Sequence, residues 1–148
     1  MTIIDQLVRI YETEEPWHTT RLSREEAVKY HQKLYDDGCI IVYHELGVVL
    51  GYIEVWRLSF EQLGRCVCRH PFSAYLEDVK SGNIAYVANM WIDTKFRQGS
   101  VIKILKHLFF SSYHDCEYYV GESMSKKSQP VKVFKREDLR SSLFKTGA

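Results

Sequence analysis

The sequence predicts an α/β (α+β) fold: one domain over residues 1–148, with a mixed central sheet flanked by helices on both faces. Three observations predict it. Helical and strand periodicities follow in the order helix, helix, strand, strand, a mixed middle, strand, helix, strand, strand, and a mixed sheet with helices on both faces fits that order. The run IAYVANMWID is nearly continuous in apolar residues, as expected of a strand covered on both faces. That run leads through a basic turn into an amphipathic helix and on to a further strand. This strand–helix–strand unit, Ile84–Gly121, is expected to be a right-handed crossover between parallel strands.

Taken in order, TIIDQLVRIYE sets Ile3, Ile4, Leu7, Val8 and Tyr11 on one helical stripe. EEPWHTTRLS reads as a loop. Ser23 with Glu26 makes a capping-box pattern ahead of a second helix over about residues 24 to 36, and Gly38 ends it. The period then changes to that of strands, about Cys39–His44 and Val48–Leu58, joined by a short turn holding Glu45 and Gly47. In the second strand Tyr52, Glu54 and Trp56 alternate with Ile53, Val55 and Arg57. Glu54 is therefore expected on the more polar face, looking into a cleft. The middle is mixed, with a short helix expected near Phe72–Val79 and a stop at Gly82. SVIKILKHLFFSSY is the clearest helix: Val101, Leu105, Leu108 and Phe109 share a stripe, with Lys103, Lys106 and His107 off it. CEYYVGESM and PVKVFKRED supply the last two strands. No repeat, low-complexity stretch or linker interrupts the chain.

A chain of 148 residues buries roughly 68–70% of the surface its unfolded form exposes. Hydrophobic residues make up 45% and charged residues 26%, ordinary for a globular domain. The net charge of +1 favours no particular partner. The opening MTIIDQLVRIYETEE has no basic n-region, uninterrupted apolar stretch or small-residue cleavage site, and no apolar run is long enough to span a bilayer. A cytoplasmic protein without membrane attachment is expected, its Cys39, Cys66, Cys68 and Cys116 reading as free thiols. Cys66, Cys68 and His70 are closely spaced, but a structural zinc site needs a second pair, and no metal is expected. Lys126, Lys127, Lys132, Lys135, Arg136 and Arg140 outnumber Glu137 and Asp138 toward the C-terminus. A lysine-guarded edge strand accounts for them, and a nucleic-acid partner is not expected.

The stretch WIDTKFRQGSVIKILK places Arg97, Gln98, Gly99 and Ser100 where a strand feeds a helix. A helix N-terminus with small residues and basic neighbours suits an anion; a simple strand–helix turn is the other reading of a lone glycine. Together with the order of elements, this stretch resembles the GNAT superfamily of acyl-CoA N-acyltransferases, over roughly residues 23 to 136. There, a central strand runs into R/Q-x-x-G-x-G/A at the head of a long helix. ANMWID, TKFR and VIKILKHLF match in type and spacing, and VVLGYIEVW resembles the family's third strand. Counted from Arg97, the family's glycine positions are Ser100 and Ile102, with Gly99 one place early.

The resemblance implies an N-acyltransferase that transfers acetyl from acetyl-CoA, or another acyl group from its acyl-CoA, to an amine. That amine would belong to a protein lysine, an N-terminus or a small molecule. Trp91, Ile92, Arg97, Gln98, Gly99, Ser100, Val101 and Ile102 would bind the donor, the turn gripping its pyrophosphate and a backbone N–H near Met90–Ile92 polarising the thioester carbonyl. An amine must lose a proton before attack, which points to Glu54 or His18 as base. The departing thiolate needs an acid, and Tyr118 is chosen from Tyr113, Tyr118 and Tyr119 near the helix–strand junction. EPWHTT also resembles the loop of toxin-activating lysine acyltransferases, which implies acyl carrier protein as an alternative donor; their catalytic aspartate has no counterpart in VANMW. Small phage-type GNAT proteins show similarly altered turns, and a GNAT-fold binding module without catalysis is the remaining alternative.

Overall fold

The computed structural model describes residues 1–14, 22–68, 79–96, 99–122 and 131–135. Its elements are α1 (Ile3–Glu14), α2 (Arg24–Asp36), β1 (Ile40–Glu45), β2 (Val48–Leu58), α3 (Phe60–Cys68), β3 (Ile84–Ile92), a 3₁₀ turn (Thr94–Phe96), α4 (Ser100–Ser112), β4 (Tyr118–Glu122) and β5 (Val131–Lys135).

Local chemistry explains the boundaries. The Ser23 hydroxyl accepts from the Glu26 amide while the Glu26 carboxylate accepts from the Ser23 amide, so the expected capping box is present at the head of α2. Gly38 follows α2 at φ +73, a conformation that costs glycine nothing. α3 was not expected from the sequence. It starts with a second capping box, in which Ser59 Oγ accepts from the Gln62 amide at 3.1 Å and Gln62 Oε1 from the Ser59 amide at 2.9 Å. The helix expected near Phe72–Val79 lies outside the described residues except for Val79, which is in neither helix nor strand.

The sheet order is β1-β2-β3-β4-β5. β1–β2, β2–β3 and β4–β5 are antiparallel, and β3–β4 is parallel, as the strand–helix–strand unit predicted. Two cores lie on its two faces. On one, Leu7, Val8 and Tyr11 of α1 and Ala27, Tyr30 and Leu34 of α2 pack on Tyr52, Trp56 and Tyr86. On the other, Val101, Leu105 and Phe109 of α4 pack on Ile53, Val55, Ala85 and Tyr119. Leu108 is only half-buried, so the α4 stripe is narrower than its sequence implies. Glu54 is not on a polar face. It is 4% exposed, because helices pack on both sides of β2.

Candidate active site

β3 has an extra residue relative to β2: Glu54 pairs with Asn89, but Val55 pairs with Val87. Ala88 is thus the unpaired residue of a bulge, and a bulge bends its strand and re-aims the side chains beyond it. Before it, Ile84 and Tyr86 face the α1/α2 core; after it, Trp91 does. Met90 and Ile92 face α4.

The same point marks a parting of strands. β3 and β4 are paired from Ile84↔Tyr118 to Val87↔Gly121, and among the described residues no pairing joins them beyond. Among the described residues, 89–92 are paired on the β2 side alone. The Asp93 amide donates to Leu50 O at 2.9 Å, so amide directions alternate back from it: those of Asn89 and Trp91 point toward β2, and those of Met90 and Ile92 toward the opening. The Met90 amide donates to Asn89 Oδ1 at 2.9 Å, and Asn89 Nδ2 donates to the Tyr52 hydroxyl at 3.0 Å. Tyr52 stacks against Trp91, ring centroids 6.2 Å apart. The indole Nε1–H of Trp91 is buried and has no hydrogen-bond partner among the described residues.

α4 begins at this end of the sheet. Its N-cap, Gly99, sits at φ −119 and ψ −157 and offers no side-chain cap. The Gly99 amide is used within the turn, donating to Phe96 O at 3.2 Å. The amides of Ser100, Val101 and Ile102 belong to the set that an α-helix leaves without internal partners. Gly99 and Ser100 are exposed. Val101 is buried, and Ile102 is half-buried against the α4-side core. The bulky residue at the family's second glycine position is thus accommodated by packing inward. Arg97, Gln98 and His18 lie outside the described residues, as does the C-terminal basic run apart from Lys132 and Lys135 in β5.

Glu54 of β2 is the register partner of Asn89 of β3, next to the bulge. Its Oε2 accepts from the Tyr30 hydroxyl at 2.5 Å. Trp91 and Ile92 lie along the opening, and Gly99, Ser100, Val101 and Ile102 at the head of α4. Tyr118 is not brought to them. It is paired with Ile84 at the closed end of the parallel ladder and rests edge-on against Phe60. Tyr113 and Tyr119 are buried, donating to Gly38 O at 3.0 Å and Tyr113 O at 2.6 Å. The sequence reading missed Tyr30, Tyr52 and Asn89; the one local signal was an amide, Asn89, within an otherwise apolar strand.

The closed end is tied by Arg57, which donates to both carboxylate oxygens of Asp115, at 3.1 and 3.0 Å, and to Ser112 O at 3.0 Å. Its guanidinium lies 4.7 Å from the Tyr113 ring centroid. The hydrogen bond from Arg57 holds the Asp115 carboxyl below its ordinary range. β2, the end of α4 and the approach to β4 are joined there, leaving the opposite end of the sheet as the one that opens.

No helix among the described residues is long and apolar enough to cross a membrane. No protein-family model matches the chain, and no curated protein matches it by sequence. Solved structures do match. The GphF GNAT-like decarboxylase in complex with isobutyryl-CoA is 20% identical at a TM-score of 0.58, over 80% of this chain and 60% of that one. The loading GNATL domain of CurA from Lyngbya majuscula is 14% identical at 0.55, over 88% and 68%. A ribosomal-protein-alanine N-acetyltransferase from Brucella melitensis is 16% identical at 0.54, over 84% and 71%. The chain thus spans about 60% of the first of these structures. With a mixed sheet between two helical layers, a parallel pair that parts beyond a bulge, and a helix that starts beside the parting, the chain has the GNAT fold.

Proposed function

We propose that the chain is an N-acyltransferase that takes an acyl group, in the first instance acetyl, from its coenzyme A thioester and delivers it to an amine. The observation that carries this reading is the coincidence at one end of the sheet of three features. β3 and β4 part, α4 presents a first turn without a side-chain cap, and a carboxylate lies one strand away. The N-terminal amides of a helix favour a diphosphate through their dipole and their unused hydrogens. An acyl-CoA complex and an N-acetyltransferase among the similar folds support the same substrate class.

Glu54 takes the proton from the attacking ammonium, since only the free amine has a lone pair to form the new C–N bond. The Met90 amide, now held by Asn89 Oδ1, is the backbone donor facing the opening and suits the carbonyl oxygen as it gains charge. The C–S bond then breaks, and the departing sulfur takes up the proton that the nitrogen of the tetrahedral intermediate gives up, so that free thiol and neutral amide result. Tyr118, at the closed end, has no part in this reading.

Acetyl-CoA binding is measured by thermal and chemical unfolding. At a hundredfold excess over its dissociation constant it adds about 2.7 kcal/mol of stability. Glu54→Gln then lowers turnover at least about 100-fold and leaves that stabilisation intact. Stabilisation by acyl carrier protein carrying the acyl group, and none by acetyl-CoA, moves the donor to the carrier protein. Stabilisation by neither leaves a GNAT-fold binding module.

A further inference from the structure

Tyr30 lies in the middle of α2, and Glu54 in the middle of β2. They are distant in sequence, yet the tyrosine hydroxyl donates to Glu54 Oε2 at 2.5 Å. Residue exposures are 2% for Tyr30 and 4% for Glu54. A hydroxyl and a carboxylate at this separation make a charge-assisted hydrogen bond, about twice as strong as a neutral one. In a buried site such a donor matters more, because a carboxylate removed from water and left without donors reverts to its neutral form.

The donor is itself held in place. Tyr30 meets the His31 ring edge-on at 5.2 Å, His31 Nδ1–H donates to Ala27 O at 2.7 Å, and His31 packs against Tyr11 at 5.8 Å. The capping box fixes the start of the helix that carries them. Among the described residues, the titratable groups in the core around the pair include His31 of α2, Tyr11 of α1, Tyr52 of β2, Tyr86 of β3 and the Cys39 thiol beside β1.

We infer that Tyr30 is the positioning residue for Glu54: its hydroxyl fixes the carboxyl group beside the bulge and keeps it in the ionised form that accepts a proton. The inference rests on the reading of Glu54 as the base. Tyr30 keeps its own proton throughout; the proton that moves is the one that passes from the substrate ammonium to Glu54.

The test is a carboxyl-carbon NMR titration of protein labelled with ¹³C-glutamate, the Glu54 signal being the one lost in Glu54→Gln. In Tyr30→Phe the Glu54 midpoint rises by about one pH unit or more, while the other carboxylates stay in place. An unchanged Glu54 midpoint overturns the inference. If Tyr30→Phe does not fold, the double variant Tyr30→Phe/Glu54→Gln decides. Recovery of folding in it identifies the carboxylate that lost the Tyr30 donor as the fault and supports the inference, whereas failure to recover overturns it. Failure of the base reading is separate: it shows as full turnover in Glu54→Gln, whatever the titration gives.

Discussion

Gly51 of β2 and Leu105 of α4 are so close that a methyl group on the glycine would lie 2.9 Å from Leu105 Cδ1. It would also lie 3.1 Å from Trp91 O and 3.2 Å from Val101 Cγ1. The missing side chain lets α4 rest directly on the sheet where Gly51 faces Ile92. Gly51→Ala is therefore expected to cost about 1–3 kcal/mol through overpacking, read as a lower urea midpoint at unchanged slope. Because the lifted helix carries the donor amides, acetyl-CoA affinity falls with it. A variant as stable as the parent would show that α4 has room to spare.

Gly99 gives the opposite case. A Cβ there would meet nothing closer than Phe96 O at 3.7 Å, and φ −119 is open to any residue. The fold does not require glycine at this position. Gly99→Val is expected to cost no more than about 1 kcal/mol, the loss of a favourable N-cap residue. Acetyl-CoA affinity, measured by calorimetry on the folded protein, should fall by about tenfold or more, about 1.4 kcal/mol. A variant that melts early but binds normally would reduce Gly99 to a turn former.

Cys39 is 2% exposed, and burial, followed by the Asp37 charge, pushes its thiol up to about 11. At pH 8 such a thiol is ionised in about one molecule in a thousand, and the thiolate is the form that reacts. Iodoacetamide at pH 8 is expected to leave Cys39 unlabelled in the folded protein and to label it in urea, as read by peptide mass mapping. The linkage has a sign. An unfolded thiol ionises near pH 9 while the folded one holds its proton, so stability present below pH 9 declines as pH rises toward about 11. Cys116, also raised chiefly by burial, acts in the same direction. Rapid labelling of Cys39 in the folded state would contradict the buried placement.

What was legible in the sequence was what neighbouring residues decide. Ser23 and Glu26 satisfy one another's amides across a single turn, so α2 could be bounded by reading four positions. The near-continuous apolar run of β3 and the switch to helical spacing after Gly99 likewise depend on adjacent residues. α3 had the same kind of signal in Ser59 and Gln62, but Gly64 and a broken apolar pattern obscured it. Glu54 was readable as an unusual carboxylate in a strand, but its burial was not, since the helix that covers it arrives from elsewhere in the chain. The bulge at Ala88 was silent too. Nothing in VANMW distinguishes a bulged residue from a paired one; the register of β2 alone reveals it.

The sheet has a helical layer on each side, and the residues of the two cores interleave along the same strands: Tyr52 and Trp56 belong to one, Ile53 and Val55 to the other. The backbone between them is a wall. A void opened under Leu34 cannot be filled by Phe109, which stands on the far side. Volume is conserved separately in each half, and a swap that exchanges bulk between them would leave one half hollow and the other strained.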